Sequence, residues 1–247
     1  MSSVAEIRMA DAIRGCVAAA ICAVCISIFT FSCAPAVFID KNEINRIISP
    51  VSSVGPPPAF KGAGNVRIAI NEERATGGFT LNKENPDLIH ADIYSPFGTI
   101  TGTIQVDGNG GEMRYNDKTT AFSLDQTMDS LPFRWGKHVT FREFGHYITC
   151  RIPHKPIFRE PPDTIIGKRH KNIAYWKTDS FTVAVTVGSR ERNVANIIFM
   201  FTDPANGTDR WQLRFSEFKQ DLPYSISMMD NEKNYFSIIY DKIIAKR

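Results

Sequence analysis

Side chains that could perform acid–base, nucleophilic or metal chemistry are few in this chain and lie far apart in sequence. No HExxH, GxSxG or P-loop pattern occurs. His138 and His146 are eight residues apart, but no further ligand stands at a matching spacing. The five histidines are His90, His138, His146, His154 and His170. The sequence therefore predicts no catalytic residue, no metal site and no cofactor, and a protein that is not an enzyme.

The charge balance makes nucleic acid an improbable partner. Lys and Arg together number 29 and Asp and Glu 26, and the positive residues are scattered along the chain. Their one cluster is Lys168-Arg169-His170-Lys171, in a predicted loop, where a solvated surface is the simplest interpretation. A nucleic-acid-binding protein needs a denser basic stripe. We therefore expect no nucleic-acid partner.

The cysteines point to chemistry at the amino terminus. Of five, Cys16, Cys22, Cys25 and Cys33 fall within or just after an apolar stretch, and only Cys150 lies in the body of the chain. One cysteine cannot make an internal disulfide framework, and no Cys/His spacing suggests zinc. Cys150 is predicted to be a small buried apolar residue.

The first 32 residues are typical of an export signal. Arg8 and Arg14 precede an uncharged run, Gly15 to Phe31, which ends in small residues. A plain secretory signal and an uncleaved membrane-spanning anchor are the alternatives to a lipoprotein signal. The anchor stays open because this 17-residue run is at the short limit for crossing a bilayer. Cys33 resembles the lipidated cysteine of bacterial lipoprotein signals, which predicts a signal peptide at 1–32 and lipidation at Cys33. Since Ala34 is not an acidic retention residue, that resemblance implies the outer membrane, facing the periplasm.

The clearest pattern in the body is a hairpin. Leu88 to Tyr94 alternates, and from Thr99 to Asp107 apolar residues alternate strictly with polar ones, as in half-buried antiparallel strands. Between these strands lies Ser95-Pro96-Phe97-Gly98, in which Pro and Gly favour a tight turn. Phe97 is a large apolar side chain at the turn's tip.

Other strands alternate in the same way from Asn65 to Leu81 and from Phe181 to Phe215. Short helices are predicted at Val37–Ile48, Ser123–Ser130 and Phe133–Tyr147, and a stiff, proline-rich tether at 49–60. We predict an α+β fold, a curved antiparallel sheet forming a half-open β-barrel with short helices covering one mouth. The predicted divisions are the signal peptide at 1–32, a lipid-anchored helix and tether at 33–62, and the half-barrel at 63–247.

An exported, lipidated start, meandering strands and a hairpin closed by Ser-Pro-Phe-Gly together resemble the LolB-type outer-membrane lipoproteins. The resemblance extends from Val66 to about Leu131, including Gly78-Phe79 and Asp107-Gly108, and weakens beyond Leu131. It implies an apolar cavity that receives lipoprotein acyl chains from a periplasmic carrier and passes them to the outer membrane. It also assigns Pro96, Phe97 and Gly98 to a loop that inserts into the membrane. A side chain folded back on its own hairpin is the alternative for Phe97.

A bent sheet covered only by short helices can leave an apolar pocket, which is the environment that a fatty chain needs. The candidate lining residues are Phe79, Ile93, Ile100, Ile104, Val183, Val185, Ile197, Phe199 and Leu213. Core packing is the alternative role for each of them. Membrane lipid and lipoprotein acyl chains are therefore the expected partners. A lipid-anchored structural or assembly protein with the same fold and a filled core is the competing hypothesis, and a hydrolase whose residues meet only in three dimensions is a distant third.

Overall fold

The body of the chain is built on one large antiparallel sheet. A computed structural model describes residues 38–53, 59–85, 88–108, 110–115, 118–129, 131, 133–202 and 210–246. Thirteen strands pair in the order β6-β5-β4-β3-β2-β1-β13-β12-β11-β10-β9-β8-β7. The strands are β1 Ala59–Ile70, β2 Glu73–Asn85, β3 Leu88–Tyr94, β4 Ile100–Asp107, β5 Gly110–Tyr115, β6 Lys118–Ser123, β7 Thr164–Lys168, β8 Lys171–Lys177, β9 Phe181–Gly188, β10 Val194–Thr202, β11 Arg210–Lys219, β12 Leu222–Asp230 and β13 Tyr235–Lys246.

This order joins two meanders, β1–β6 and β7–β13, through the pairing of β1 with β13. β6 and β7 are the two edges, so the sheet is open. We call the end of the sheet at which β1 begins the near end, and the end at which β1 finishes the far end. By register, the β1–β2, β3–β4 and β12–β13 turns lie at the far end, and the β7–β8 and β9–β10 turns lie at the near end.

One face of the sheet, the inner face, carries the core. Ile197 and Phe199 on β10 pair with Phe215 and Leu213 on β11, and all four are fully buried. A single core contains buried residues from β6 in one meander and β8 in the other. Thirteen strands can share one core only if the sheet curves around it. The predicted curved antiparallel sheet with few helices is therefore confirmed, without a closed barrel.

Helix α1, Lys41–Ser53, is part of this core rather than of a tether. Asp40 caps its first turn by accepting a hydrogen bond from the Glu43 backbone N–H at 2.8 Å. Ile44, Ile48 and Val51 are buried beneath the sheet. The helix continues past the predicted end at Ile48 and through Pro50. Burial of Ile48 and Val51 on either side of Pro50 offsets the cost of a proline there.

The first strand, β1, begins at Ala59, four residues before the predicted boundary of the half-barrel at residue 63. Residues 54–58 of the predicted tether lie outside the described residues. The signal segment and Cys33 lie outside the described residues. No helix in the described ranges is long and apolar enough to cross a bilayer.

The connection between β6 and β7 corrects two helix predictions. No helix forms after Ser123, because backbone N–H groups of 128, 141 and 142 donate to carbonyls of Val139, Gln126 and Leu124, pairing these segments with each other. The predicted helix at 133–147 is divided into a 3-10 helix, Arg134–His138, and helix α2, Phe141–Ile148. Thr140 caps α2, and its extended backbone separates the two. A second 3-10 helix spans Lys155–Arg159.

Candidate functional site

The β3–β4 hairpin loop is held by its own hydrogen bonds. The backbone N–H of Gly98 donates to the Ser95 carbonyl at 2.9 Å, and the N–H of Ser95 donates to the Thr99 carbonyl at 2.8 Å. The Ser95 hydroxyl accepts from the N–H groups of Phe97 and Thr99 at 3.2 and 3.3 Å. Gly98 has a φ of +81°, the left-handed conformation that closes a three-residue hairpin loop. The sequence Ser-Pro-Phe-Gly therefore builds an ordered turn.

Phe97 projects from this turn into solvent. Its side chain is 95% exposed. Leaving a large apolar side chain in water is unfavourable compared with burying it. Two further apolar side chains stand nearby at the far end, Ile100 at 55% and Tyr115 at 63% exposed. The prediction that a large apolar residue occupies the tip of the hairpin is therefore matched by an exposed apolar group.

A β-bulge changes the face on which one predicted lining residue lies. Ile93 pairs with Gly102, but Tyr94 pairs with Ile100, so Thr101 is the extra residue. Because paired residues share a face, Ile100 lies with Tyr94 on the outer face. The strict alternation predicted for β4 therefore fails at Ile100 and Thr101, next to the turn. Ile100 does not lie on the inner face with Ile104, and its prediction as a lining residue is wrong.

The other predicted lining residues fall into two groups. Five have no exposed surface and so face neither solvent nor a void large enough for water: Val183, Val185, Ile197, Phe199 and Leu213. Phe79 is also buried. Ile93 and Ile104 on the inner face are only partly covered, as is Met113, which pairs with Ile104. The β9–β11 part of the inner face is filled by the protein, whereas the β3–β5 part is partly open.

Tyr115 continues this partly open surface to its rim. It pairs with Gly102, and a Cβ on Gly102 would lie 3.7 Å from the Tyr115 ring and 3.8 Å from Ile93 Cβ. We call Ile93, Ile104, Met113 and Tyr115 the open apolar surface. The sequence could not separate it from the filled part, because both show the same alternation.

An aromatic plug packs against the inner face at β13. Trp135, in the first 3-10 helix, stacks on Phe133 with ring centroids 4.7 Å apart and lies parallel to Phe144 of α2 at 6.1 Å. Phe144 in turn contacts Phe236 of β13 edge-on at 5.1 Å. Trp135 is 1% exposed, and its indole N–H has no acceptor among the described residues. The plug is thus well packed but leaves one buried donor unsatisfied, which costs free energy.

The titratable residues near the core form no catalytic arrangement. Burial, followed by the charges of Arg151 and Lys83, lowers the pKa of His146 to about 4. Burial alone raises the pKa of the Cys150 thiol, whose Sγ donates to the Pro223 carbonyl at 3.3 Å. The prediction of a buried structural cysteine is confirmed. In the described ranges no three His, Cys, Asp or Glu side chains are placed to hold a metal ion.

One histidine–carboxylate pair lies on the outer face. His90 Nε2 is 3.1 Å from Asp92 Oδ2, and Asp92 accepts a further bond from the Thr103 hydroxyl at 2.9 Å. His90 borders a depression of about 300 Å³ that also includes Lys61 and Lys242. Thr80 lines the same depression as His90. The hydrogen bond of the His90 ring is the one with the Asp92 carboxylate, which orients the imidazole.

Comparison with known proteins gives structural neighbours only. No protein-family model matches the chain, and no curated protein matches it. A LolA superfamily protein from Nitrosomonas europaea is similar over 85% of this chain and 95% of its own, at 10% identity and a TM-score of 0.41. A DUF1329 family protein from Desulfovibrio piger is similar over 83% and 93%, at 6% identity and a TM-score of 0.48. An outer membrane lipoprotein-sorting protein domain from Vibrio parahaemolyticus is similar over 84% and 94%, at 8% identity and a TM-score of 0.38.

One of these neighbours is a member of the LolA superfamily. All three TM-scores are below 0.5, and no identity exceeds 10%.

Proposed function

We propose that this chain is an envelope lipoprotein, anchored at Cys33 in the outer membrane and facing the periplasm, that binds acyl chains and receives or inserts lipoproteins there. The observation that carries the proposal is the exposed Phe97 on a rigid loop. The acyl chains come from a periplasmic lipoprotein carrier. Pro96 and Gly98 hold the loop in shape, and Phe97 enters the hydrocarbon.

The physical argument is one of free energy. Moving a phenylalanine side chain from water into hydrocarbon contributes about 1.5–3 kcal/mol. The loop is fixed by the two bonds to the Ser95 hydroxyl, so little further ordering is needed when Phe97 inserts. Because Phe97 is exposed and its loop is held by these bonds, insertion of Phe97 into a membrane is favoured over a role in the protein's own core.

The open apolar surface is the proposed acyl site. Ile93, Ile104 and Met113 are partly covered by the protein, so a fatty chain can complete their burial. Val183, Val185, Ile197, Phe199 and Leu213 are already buried by protein. Phe158 of the second 3-10 helix packs edge-on against Phe199 at 6.4 Å, so these residues would line a larger cavity only if that cover moved away. We therefore assign first contact with the acyl chain to Ile93 and Ile104.

The test compares Phe97→Glu with Met229→Glu in the chain from residue 33 onward carrying Cys33→Ser, because the apolar run at 15–31 would itself bind vesicles. Met229 is also exposed and apolar but lies on the outer face of β12. We expect Phe97→Glu to fold normally and to bind phosphatidylcholine vesicles at least about tenfold more weakly, from the lost burial of one Phe. Met229→Glu should bind as the parent does. Equal binding by all three proteins would refute the role of Phe97.

Native mass spectrometry of the purified body tests the acyl site separately. A co-purified acyl lipid that is lost in Ile104→Glu, but kept in Phe97→Glu, would place the ligand on the open apolar surface. A protein free of lipid, with no binding of added fatty acid, would favour the second candidate function. That candidate is a lipid-anchored structural or assembly protein, and the filled β9–β11 part of the inner face is the observation in its favour.

A further inference from the structure

Two turns at the near end of the sheet bring together positive residues that are distant in sequence. β8 pairs with β7 on one side and β9 on the other, so Lys168 lies opposite Lys171 and Lys171 opposite Gly188. The Ser189 N–H donates to the His170 carbonyl at 3.0 Å, which joins the β9–β10 turn to the β7–β8 turn. We call the resulting cluster the basic end; it consists of Lys168, Arg169, His170, Lys171, Arg190 and Arg192.

The basic end has few neutralising partners. Arg192 Nη1 lies 2.7 Å from Glu43 Oε1 of α1, and Glu191 is the acidic residue within the two turns. Lys168, Lys171 and Arg190 are exposed and make no ion pair with any residue in the described ranges. Like charges directly opposite each other on paired strands are destabilising. The fold keeps Lys168 opposite Lys171 in spite of this cost.

An exposed aromatic residue borders the basic end. Phe38 is 64% exposed, and a Cβ on Gly167 would lie 3.4 Å from its ring. Ile166, one residue before Gly167 on the edge strand, is 44% exposed. Cations interleaved with exposed apolar side chains are typical of surfaces that lie in the headgroup region of a bilayer.

The start of helix α1 lies at this end as well. Phe38 is beside Gly167, and the Arg192–Glu43 ion pair ties the helix to the β9–β10 turn. Cys33 precedes Phe38 by five residues, which can span at most about 18 Å. A lipid attached at Cys33 would therefore be held within that distance of Phe38.

We propose that the basic end is a membrane-docking surface, which binds the phosphate groups of anionic lipids while Phe38 enters the bilayer interface. Juxtamembrane clusters of Lys and Arg bind anionic leaflets in this way, and salt weakens them. The surface is separate from the Phe97 loop, which lies at the far end. It therefore adds a second lipid contact with different chemistry, and it does not depend on acyl transport.

The test measures vesicle binding by the chain from residue 33 onward carrying Cys33→Ser, which lacks the apolar run at 15–31. Phosphatidylcholine vesicles give the binding that apolar contacts supply, and vesicles with phosphatidylglycerol give the increment due to anionic headgroups. We expect an increment of at least about tenfold at low salt, because several cations contribute. It should disappear as salt is raised well above physiological strength. No increment in the parent protein would refute the proposal without recourse to any variant.

Two triple variants then locate the increment. Lys168→Gln, Lys171→Gln and Arg190→Gln should abolish it, whereas Lys61→Gln, Lys177→Gln and Lys242→Gln, which remove the same charge elsewhere, should retain it. Equal loss in both triples would overturn the assignment to this surface. Tighter binding to a single-stranded DNA oligonucleotide than to anionic vesicles, lost only in the first triple, would also overturn it.

The Phe97 variant separates this proposal from the proposed function. Phe97→Glu should weaken binding to both kinds of vesicle by a similar factor and leave the anionic increment unchanged. The first triple should leave binding to phosphatidylcholine unchanged. Phe97→Glu therefore tests the apolar contact, measured with phosphatidylcholine. The first triple tests the contact with anionic headgroups, measured as the increment.

Discussion

His146 shows how one residue links the core to pH. The Arg151 guanidinium donates to its ring, at 3.2 Å, and burial with nearby positive charge favours the neutral imidazole, lowering its pKa from 6.5 to about 4. The unfolded chain therefore binds more protons at this residue than the folded chain between pH 6.5 and 4. Stability that is intact above pH 6.5 is lost as the pH falls through this window.

We expect His146→Gln to remove part of this acid sensitivity. The free energy of unfolding, measured with urea at pH 7.5, 5.5 and 4.5, should fall less steeply for the variant than for the parent. Because His146 is half-buried, solvent screens its interactions and reduces the effect. His138→Gln changes an exposed histidine in the first 3-10 helix and should follow the parent. Parallel profiles for parent and His146→Gln would contradict the linkage.

Cys33 carries the residue-scale prediction about location. If lipidation is the anchor, Cys33→Ser releases the chain from membranes into the soluble periplasmic fraction, since no acyl chains remain to hold it. Fractionation followed by immunoblotting measures this, and Cys150→Ser, at a buried position outside the signal, is the matched control. A Cys33→Ser protein that stays in the membrane pellet after a high-salt wash would show that the apolar run is kept as a span.

At the scale of single elements, α2 depends on its amino-terminal cap. The Thr140 hydroxyl accepts from the Glu143 N–H at 3.2 Å, and the Glu143 carboxylate accepts from the Thr140 N–H at 2.9 Å. This capping box starts the helix that places Phe144 and Tyr147 in the core. The same box also divides the single helix that the spacing of aromatic residues predicts.

Thr140→Ala should lower the free energy of unfolding by about 1 kcal/mol, because an amide at the helix start loses its acceptor. Thr140→Ser keeps a hydroxyl there and should recover most of the loss. Urea unfolding at pH 7.5 measures both. Thr99→Ala, an exposed threonine outside any helix, should change stability by less than about 0.5 kcal/mol. A harmless Thr140→Ala would mean that water replaces the cap.

Alternation in the sequence predicts the strands well but not their local irregularities. The hairpin at 88–107 and its turn follow from period-two patterning and from Pro and Gly in the turn. The bulge at Thr101 leaves no such signal, and it moves Ile100 to the outer face. Likewise, the segment after Ser123 has helical caps in sequence, but its backbone finds partners at 139–142 that are not adjacent in the chain.

At the scale of the whole molecule, coverage of the inner face is uneven. Apolar residues of the filled and the open parts show the same alternation in the sequence. Whether each one is covered depends on which helices pack against it in the folded protein. Leu213 is fully buried, whereas Ile104 is only partly so. Core truncation costs both the lost burial and the cavity that remains. The two parts should therefore respond differently to the same chemical change.

Leu213→Ala should destabilise the fold by about 2–5 kcal/mol, and Ile104→Ala by less than about half as much. Urea denaturation of both variants and the parent, with no lipid present, measures the difference. Added fatty acid should raise the stability of the parent and of Leu213→Ala, but less so that of Ile104→Ala, if the ligand rests on the open apolar surface. Similar losses in the two variants would show that both parts of the inner face are filled alike.

The order of the strands has a consequence for how the chain acquires its shape. Every neighbouring pair of strands is consecutive in sequence except β1 with β13, where Val66 meets Ile238. The strands of each meander can therefore pair through contacts between neighbouring parts of the chain. Pairing of β1 with β13 instead closes a loop that contains all the other strands. Contacts of such long range form slowly. We expect joining of the two halves, rather than formation of either one, to limit the folding rate.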